Sequence, residues 1–151
     1  MTAPARIAVG YDGSPDSEAA LRWAASMSAA LGAVLCIVHA VGLLEHAGLA
    51  PLSAHEERAR TLAVDQGLDA RRVEWRVLDG DPDSALRRAA EGEGAAELIV
   101  VGTRGAAARP GTLLGSTSLG LAERAPVPVV VVPVTPNGVK RRREPGGSPP
   151  A

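Results

Sequence analysis

The segment Gly102-Thr103-Arg104-Gly105 is followed by nine residues and then by Gly115-Ser116. Glycines let backbone N–H groups approach a ligand closely. Gly115 and Ser116 stand where a helix is expected to open, and the free N–H groups and dipole of a helix start favour an anion such as phosphate. Ser116 adds a hydroxyl donor. Strand, glycine-rich loop and helix start together read as a phosphate cradle, although taken alone they suit a flexible surface loop with a helix cap equally well. Arg104 and Arg109 could meet phosphate or stay as solvated loop charges. A Walker A loop is excluded because the segment has no lysine, and no G-x-G-x-x-G occurs. Without that lysine or an acidic pair placed for magnesium, fast phosphoryl transfer is not suggested.

Other single residues read more plainly. His39, at the end of an apolar run, reads as a satisfied core histidine. His46 and His55 read as a surface loop and a surface helix residue, with no zinc-site spacing. Cys36 is the one cysteine, which excludes an intramolecular disulfide or a multi-cysteine zinc site. It reads as a small core hydrophobe. The run Lys140-Arg141-Arg142-Arg143 reads as a solvated tail.

These residues need elements to position them. An apolar run over 7–11 ends in the turn cluster Asp12-Gly13-Ser14-Pro15-Asp16. Ser14 before Pro15 is a helix N-cap with proline in the first helical position. Ala20, Leu21, Ala24, Met27 and Leu31 then recur at helical spacing, and Gly32 closes the helix. Strands are expected over 33–41, 73–78 (alternating, hence a half-buried edge), 98–101 and 127–134, with Pro128 early in the last. Helices are expected over 53–66, 82–91 (capped by Asp81 or Asp83) and 116–124. Strands alternating with helices imply an open five-stranded parallel sheet with helices on both faces. Ligands bind such sheets beyond the carboxyl ends of the strands, where the winding reverses. If the first and fourth strands are neighbours there, Asp12 and the Gly102 segment face one crevice.

Composition narrows the field. A chain of 151 residues suits one domain, here 1–134, with a disordered basic tail over 135–151. Phe is absent and Tyr11, Trp23 and Trp75 are the aromatic residues, so a stacking platform for single-stranded nucleic acid is not expected. The basic tail leaves the body mildly acidic within an overall net charge of −1, which argues against a nucleic-acid-binding face. No transmembrane run and no secretory signal are expected, leaving a cytoplasmic protein as the default. The valine-rich 127–134 run, as an edge strand, is a template for pairing with a second copy.

With Ile7-Ala8-Val9-Gly10-Tyr11-Asp12-Gly13-Ser14, Val38-His39-Ala40, the Gly102-x2-Gly105-x9-Gly115-Ser116 spacing and the ending Ala125-Pro126-Val127-Pro128-Val129-Val130-Val131-Val132, the chain resembles the universal stress protein family over about residues 5–134. The resemblance implies a Rossmann-like sheet of order 3-2-1-4-5 akin to the adenine nucleotide alpha hydrolases. It also implies the subgroup that binds ATP (with AMP or ADP as variants, and magnesium with ATP), in a stress-response regulator with slow or no hydrolysis. Asp12, beside Gly10, and the second strand's end at Ala40 and Val41 would meet adenine. Gly102, Thr103, Arg104 and Gly105 would hold ribose and phosphates, joined by Arg109. Gly115, Ser116 and Thr117 would hold the phosphates. Members commonly dimerise through the last strand. Two alternatives stay open. One is an enzyme of the ATP pyrophosphatase type, since Asp12-Gly13-Ser14-Pro15-Asp16-Ser17 faintly matches that group's S-G-G-x-D-S loop. The other is a nucleotide-free dimerisation module.

Overall fold

A computed structural model describes residues 4–42, 52–104 and 114–134. Within them the chain runs β1 (Arg6–Gly10), α1 (Pro15–Leu31), β2 (Val34–Val41), α2 (Leu52–Asp65), β3 (Val73–Asp79), α3 (Pro82–Ala89), β4 (Leu98–Gly102), α4 (Ser116–Arg124) and β5 (Val129–Val132). A 3-10 turn at Ala70–Arg72, not anticipated from the sequence, leads into β3. The strands form one sheet of order β3-β2-β1-β4-β5, and every pairing is parallel. Direction of winding reverses between β1 and β4, as expected.

Local chemistry sets the element ends. Ser14 caps α1 by accepting from the Ser17 N–H, Pro15 stands in the first turn, and Gly32 closes the helix in left-handed backbone at φ 69. Asp81, rather than Asp83, caps α3 by accepting from the Ser84 N–H at 3.1 Å. The last strand is shorter than the expected 127–134. Pro128 accepts from the Ile99 N–H at 3.0 Å but has no N–H to return, and Pro133 follows the strand's end. Four residues are therefore left to the ladder.

Two apolar layers flank the sheet. On one face Ile7, Val9, Leu35 and Ile37 pack against Leu21, Ala24 and Ala25 of α1 and Ala59, Leu62 and Ala63 of α2. On the other, Ala8, Cys36, Val38, Ile99 and Val101 pack against Ala85, Leu86 and Ala89 of α3 and Leu121 of α4. Alanine on the helix faces lets the helices lie close to branched side chains, a core suited to a chain without phenylalanine. Each buried Leu or Ile contributes about 1.5–3 kcal/mol. Cys36 is a core residue as expected, and burial pushes its thiol pKa up. Among polar groups, buried Asp83 ties two helices together. Its carboxylate accepts from Arg87 Nε of its own helix at 3.0 Å and from Arg124 Nη2 of α4 at 2.6 Å.

The Asp81 cap generates a prediction with a pH signature. The Ser84 N–H holds the Asp81 carboxyl below its usual pKa. A lowered folded-state pKa means the stabilisation is present above the ordinary carboxylate range and disappears as pH falls through the lowered value. Asp81→Ala should destabilise the protein by about 1 kcal/mol at neutral pH. In urea titrations the gap between variant and parent should narrow steadily below about pH 4.

Candidate functional site

The fourth strand ends against the first helix. A Cβ on Gly102 would stand 2.7 Å from the Asp16 carbonyl oxygen and 2.9 Å from Asp16 Cβ, so only glycine permits this approach. Beyond it, the Thr103 hydroxyl donates to Asp16 Oδ2 at 3.5 Å, and Arg104 Nε lies 3.7 Å from the same oxygen. The far arm of the glycine pattern returns to this place. The Gly115 N–H donates to the Thr103 carbonyl at 2.7 Å, and the buried Ser118 hydroxyl donates to the Gly102 carbonyl at 2.7 Å. Helix α4 thus opens beside the end of β4. Gly115 stands at its N-cap and, having no side chain, makes no capping bond of its own, so among the described residues the donors of that turn are suited to an anion.

The loop after β1 forms the facing wall. Asp12 is exposed at its head. Asp12 Oδ1 accepts from the Ser14 N–H at 2.9 Å, and its own N–H donates to the Ser17 hydroxyl at 3.3 Å. An Asx turn of this kind fixes where the carboxylate sits. Behind it, burial followed by the Glu18 charge raises the Tyr11 pKa.

The third wall is the end of β2. Pairing of β1 with β2 finishes at Gly10 and Val38, and the Tyr11 N–H still donates to the Val38 carbonyl at 3.0 Å. In a parallel ladder the Tyr11 carbonyl would next accept from the Ala40 N–H. Here it meets His39 Nδ1 at 2.8 Å. The Val41 carbonyl turns the other way and accepts from the Gly80 N–H at 3.1 Å. By alternation along the strand, the Ala40 amide faces the β1 side, above Tyr11.

Of the residues singled out from the sequence, Gly102, Thr103, Arg104, Gly115, Ser116 and Thr117 come together between β4 and α4, with Asp12 on the adjoining loop. Ala40 and Val41 end β2, the former half-buried and the latter buried. Gly10 lies lower, in the ladder, where a Cβ would stand 3.0 Å from Leu86. Gly105, Arg109, His46 and the tail from residue 135 lie outside the described residues. His39 is buried and hydrogen-bonded, as expected of a core histidine. His55 differs from expectation: it is half-buried and stacks on His39, with ring centroids 5.3 Å apart. Asp16 and Ser118 were missed. A short serine-threonine run at a helix start, Ser116-Thr117-Ser118, was the available signal for the second. Among the described residues no helix is long and apolar enough to cross a membrane.

A family model described as the universal stress protein family matches residues 5–133. The chain belongs to the universal stress protein family. A Thermus aquaticus universal stress protein is 35% identical over 136 residues, spanning 83% of this chain and 96% of its own length. Against a universal stress protein of Mycolicibacterium smegmatis, 33% identical over 142 residues, the chain spans about half the relative's length, 47%. Among solved structures, a universal stress protein in complex with cAMP superposes with a TM-score of 0.71 at 34% identity, covering 87% of this chain and 98% of that one. The universal stress protein of Archaeoglobus fulgidus in complex with dAMP shares the fold, with a TM-score of 0.64 at 21% identity over 84% of this chain and 96% of that one.

Within this universal stress protein fold, Gly102→Ala should push the end of β4 away from α1, because the atoms met are the Asp16 carbonyl and Cβ, which no side-chain rotation moves aside. A loss of about 1–3 kcal/mol by chemical denaturation is expected. The amide resonances of Asp16, Thr103 and Gly115 should move most.

Proposed function

We propose that this chain is an adenine-nucleotide-binding regulatory protein that turns its nucleotide over slowly or not at all. One observation carries the reading. The Asp12 loop, the glycine end of β4 and the Gly115-led start of α4 meet at the carboxyl edge where the sheet's winding reverses, the usual ligand position in open α/β sheets. The cAMP held by a structural neighbour at 34% identity supports an adenine nucleotide as the occupant.

In this reading Asp12, with Ala40 and Val41, recognises the base or ribose, while Gly102, Thr103, Gly115, Ser116 and Thr117 hold the phosphates through backbone and hydroxyl donors. Arg104 and Arg109 supply the cations. The resemblance to the family's ATP-binding subgroup, carried by the spacing from Gly102 through Gly105 to Gly115-Ser116, favours ATP, and the neighbour's ligand makes cAMP the second candidate. Residues 1–134 form the nucleotide-binding domain, and the basic segment after it is dispensable for folding. The convergence of donors speaks against the nucleotide-free module, while the enzyme reading has only the faint loop match at Asp12-Gly13-Ser14-Pro15-Asp16-Ser17 in its favour.

Calorimetry with ATP, AMP and cAMP tests the reading. Asp12→Ala should weaken binding about tenfold, near the worth of one charge-assisted hydrogen bond. Gly115→Arg should fill the cradle and abolish binding. Parent-like affinity in Gly115→Arg would refute the site. Loss of turnover alone in Asp12→Ala, with binding intact, would favour the enzyme.

The open edge of β5 supports a homodimer. Val129, Val130, Val131 and Val132 are each only half-buried, and a two-fold pairing of such edges closes on itself. Light scattering should show a dimer at micromolar concentration. Val130→Lys combined with Val132→Lys should give a folded monomer.

A further inference from the structure

We propose that His39 is a positioning residue of the base subsite: its imidazole takes the Tyr11 carbonyl, stops the β1–β2 ladder one rung short and keeps the Ala40 amide turned to the crevice. This rests on the reading that an adenine nucleotide occupies that crevice.

A parallel ladder extends as long as each new rung satisfies a donor and an acceptor. After Gly10 and Val38, the next rung would bring the Ala40 N–H to the Tyr11 carbonyl. His39 Nδ1 already holds that oxygen at 2.8 Å. A carbonyl only accepts, so Nδ1 is the protonated nitrogen of the ring. One lone pair of the Tyr11 carbonyl is then taken and the imidazole crowds the approach to the other, so the pull of Ala40 onto β1 is weakened and the two strands can part above Tyr11.

Ring packing holds the imidazole in this pose. Trp75 of β3 stacks on His39 with centroids 5.7 Å apart and planes 14° apart, and His55 of α2 stacks at 5.3 Å and 21°. Tyr11 presents its own ring edge-on to both His55 and Trp75, each at 6.2 Å. His39 itself is 9% exposed, so its rotation is confined by neighbours from two elements. The His55 ring also lies against Gly13, where a Cβ would stand 2.8 Å from its Cε1. The cluster therefore links β3 and α2 to the loop that carries Asp12. A backbone N–H left facing the crevice suits an in-plane acceptor nitrogen such as adenine provides. Were Ala40 bonded to Tyr11, that donor would be consumed and the end of β2 drawn towards Asp12.

The full-length chain with AMP as the probe tests this, using His39→Leu, which keeps bulk and removes the donor, and His39→Asn, whose amide nitrogen stands near the Nδ1 position. Two quantities are read: exchange of the Ala40 amide by NMR without nucleotide, and AMP affinity by calorimetry. His39→Leu should slow Ala40 exchange about tenfold as the extra rung forms and weaken AMP about tenfold. His39→Asn should return both towards the parent. Should His39→Leu fail to fold, His39→Gln, which sets its amide one bond farther out, takes its place with the same expectation. Unchanged Ala40 exchange in the Leu variant overturns the proposal, whatever AMP does, as does an Asn variant that behaves like Leu. A parent that binds no adenine nucleotide refutes the binding reading instead, and the Ala40 comparison still decides the role of His39.

Discussion

The end of β4 touches the start of α1, and the candidate site exists because of that contact. With a hydrogen in place of a side chain, Gly102 lies against the Asp16 backbone, where a Cβ would stand 2.7 Å from the carbonyl oxygen. The fourth strand pairs with the first from Ile7 with Leu98 to Val9 with Val100, and its last residues run on past that pairing to the start of α1, at the point where the chain's winding changes sides. From β1 the chain leaves into α1 on one face of the sheet, and the helix after β4 packs on the other. Among the described residues no crossover covers the gap between them, so the strand ends, the Asp12 loop and the α4 start face one another.

The rest of the molecule holds those walls still. Ser118 and Gly115 fasten α4 to the Gly102-Thr103 backbone at 2.7 Å each, while Asp83 ties the far end of α4 to α3 through Arg124. Ser14 and Ser17 order the Asp12 turn. The donors of the first α4 turn are therefore oriented before any ligand arrives, which spares a ligand the cost of ordering them. Arg104 is the movable part. Its pairing with Asp16 spans 3.7 Å and its side chain is 43% exposed, the kind of ion pair that contributes little. It can leave Asp16 for an anion at small cost.

Much of this architecture is legible in the residues themselves. Ser14-Pro15 and Gly32 mark both ends of α1, and the alternation of 73–78 marks an edge strand, because caps and edge burial are local properties. The glycine spacing suits a phosphate cradle and a capped surface loop alike, and the structure joins its two arms through the Gly115 N–H and the Thr103 carbonyl. What sequence could not reveal lies in contacts made across the chain. Asp16 meets Gly102 only because β1 and β4 are neighbours. The sequence position of His39 in an apolar run marks it as buried, yet its bond to the Tyr11 carbonyl depends on the β1–β2 register. His55, expected on a helix surface, is drawn inward, where its ring stacks on His39 and meets the Tyr11 ring edge-on. The length of β5 was overestimated because an apolar run reports burial, whereas the ladder also needs N–H donors that the flanking prolines lack.

Nitrogen-15 shift mapping during titration of the labelled chain with an adenine nucleotide tests the central claim most directly. The account predicts that the large changes gather on Asp12, Gly13, Ala40, Gly102, Thr103, Ser116 and Thr117, residues far apart in sequence that share one crevice. Changes centred instead on the outer face of α1 and the end of β5, where Glu18, Arg22 and Val134 line a shallow depression, would contradict it, as would a spectrum that does not respond.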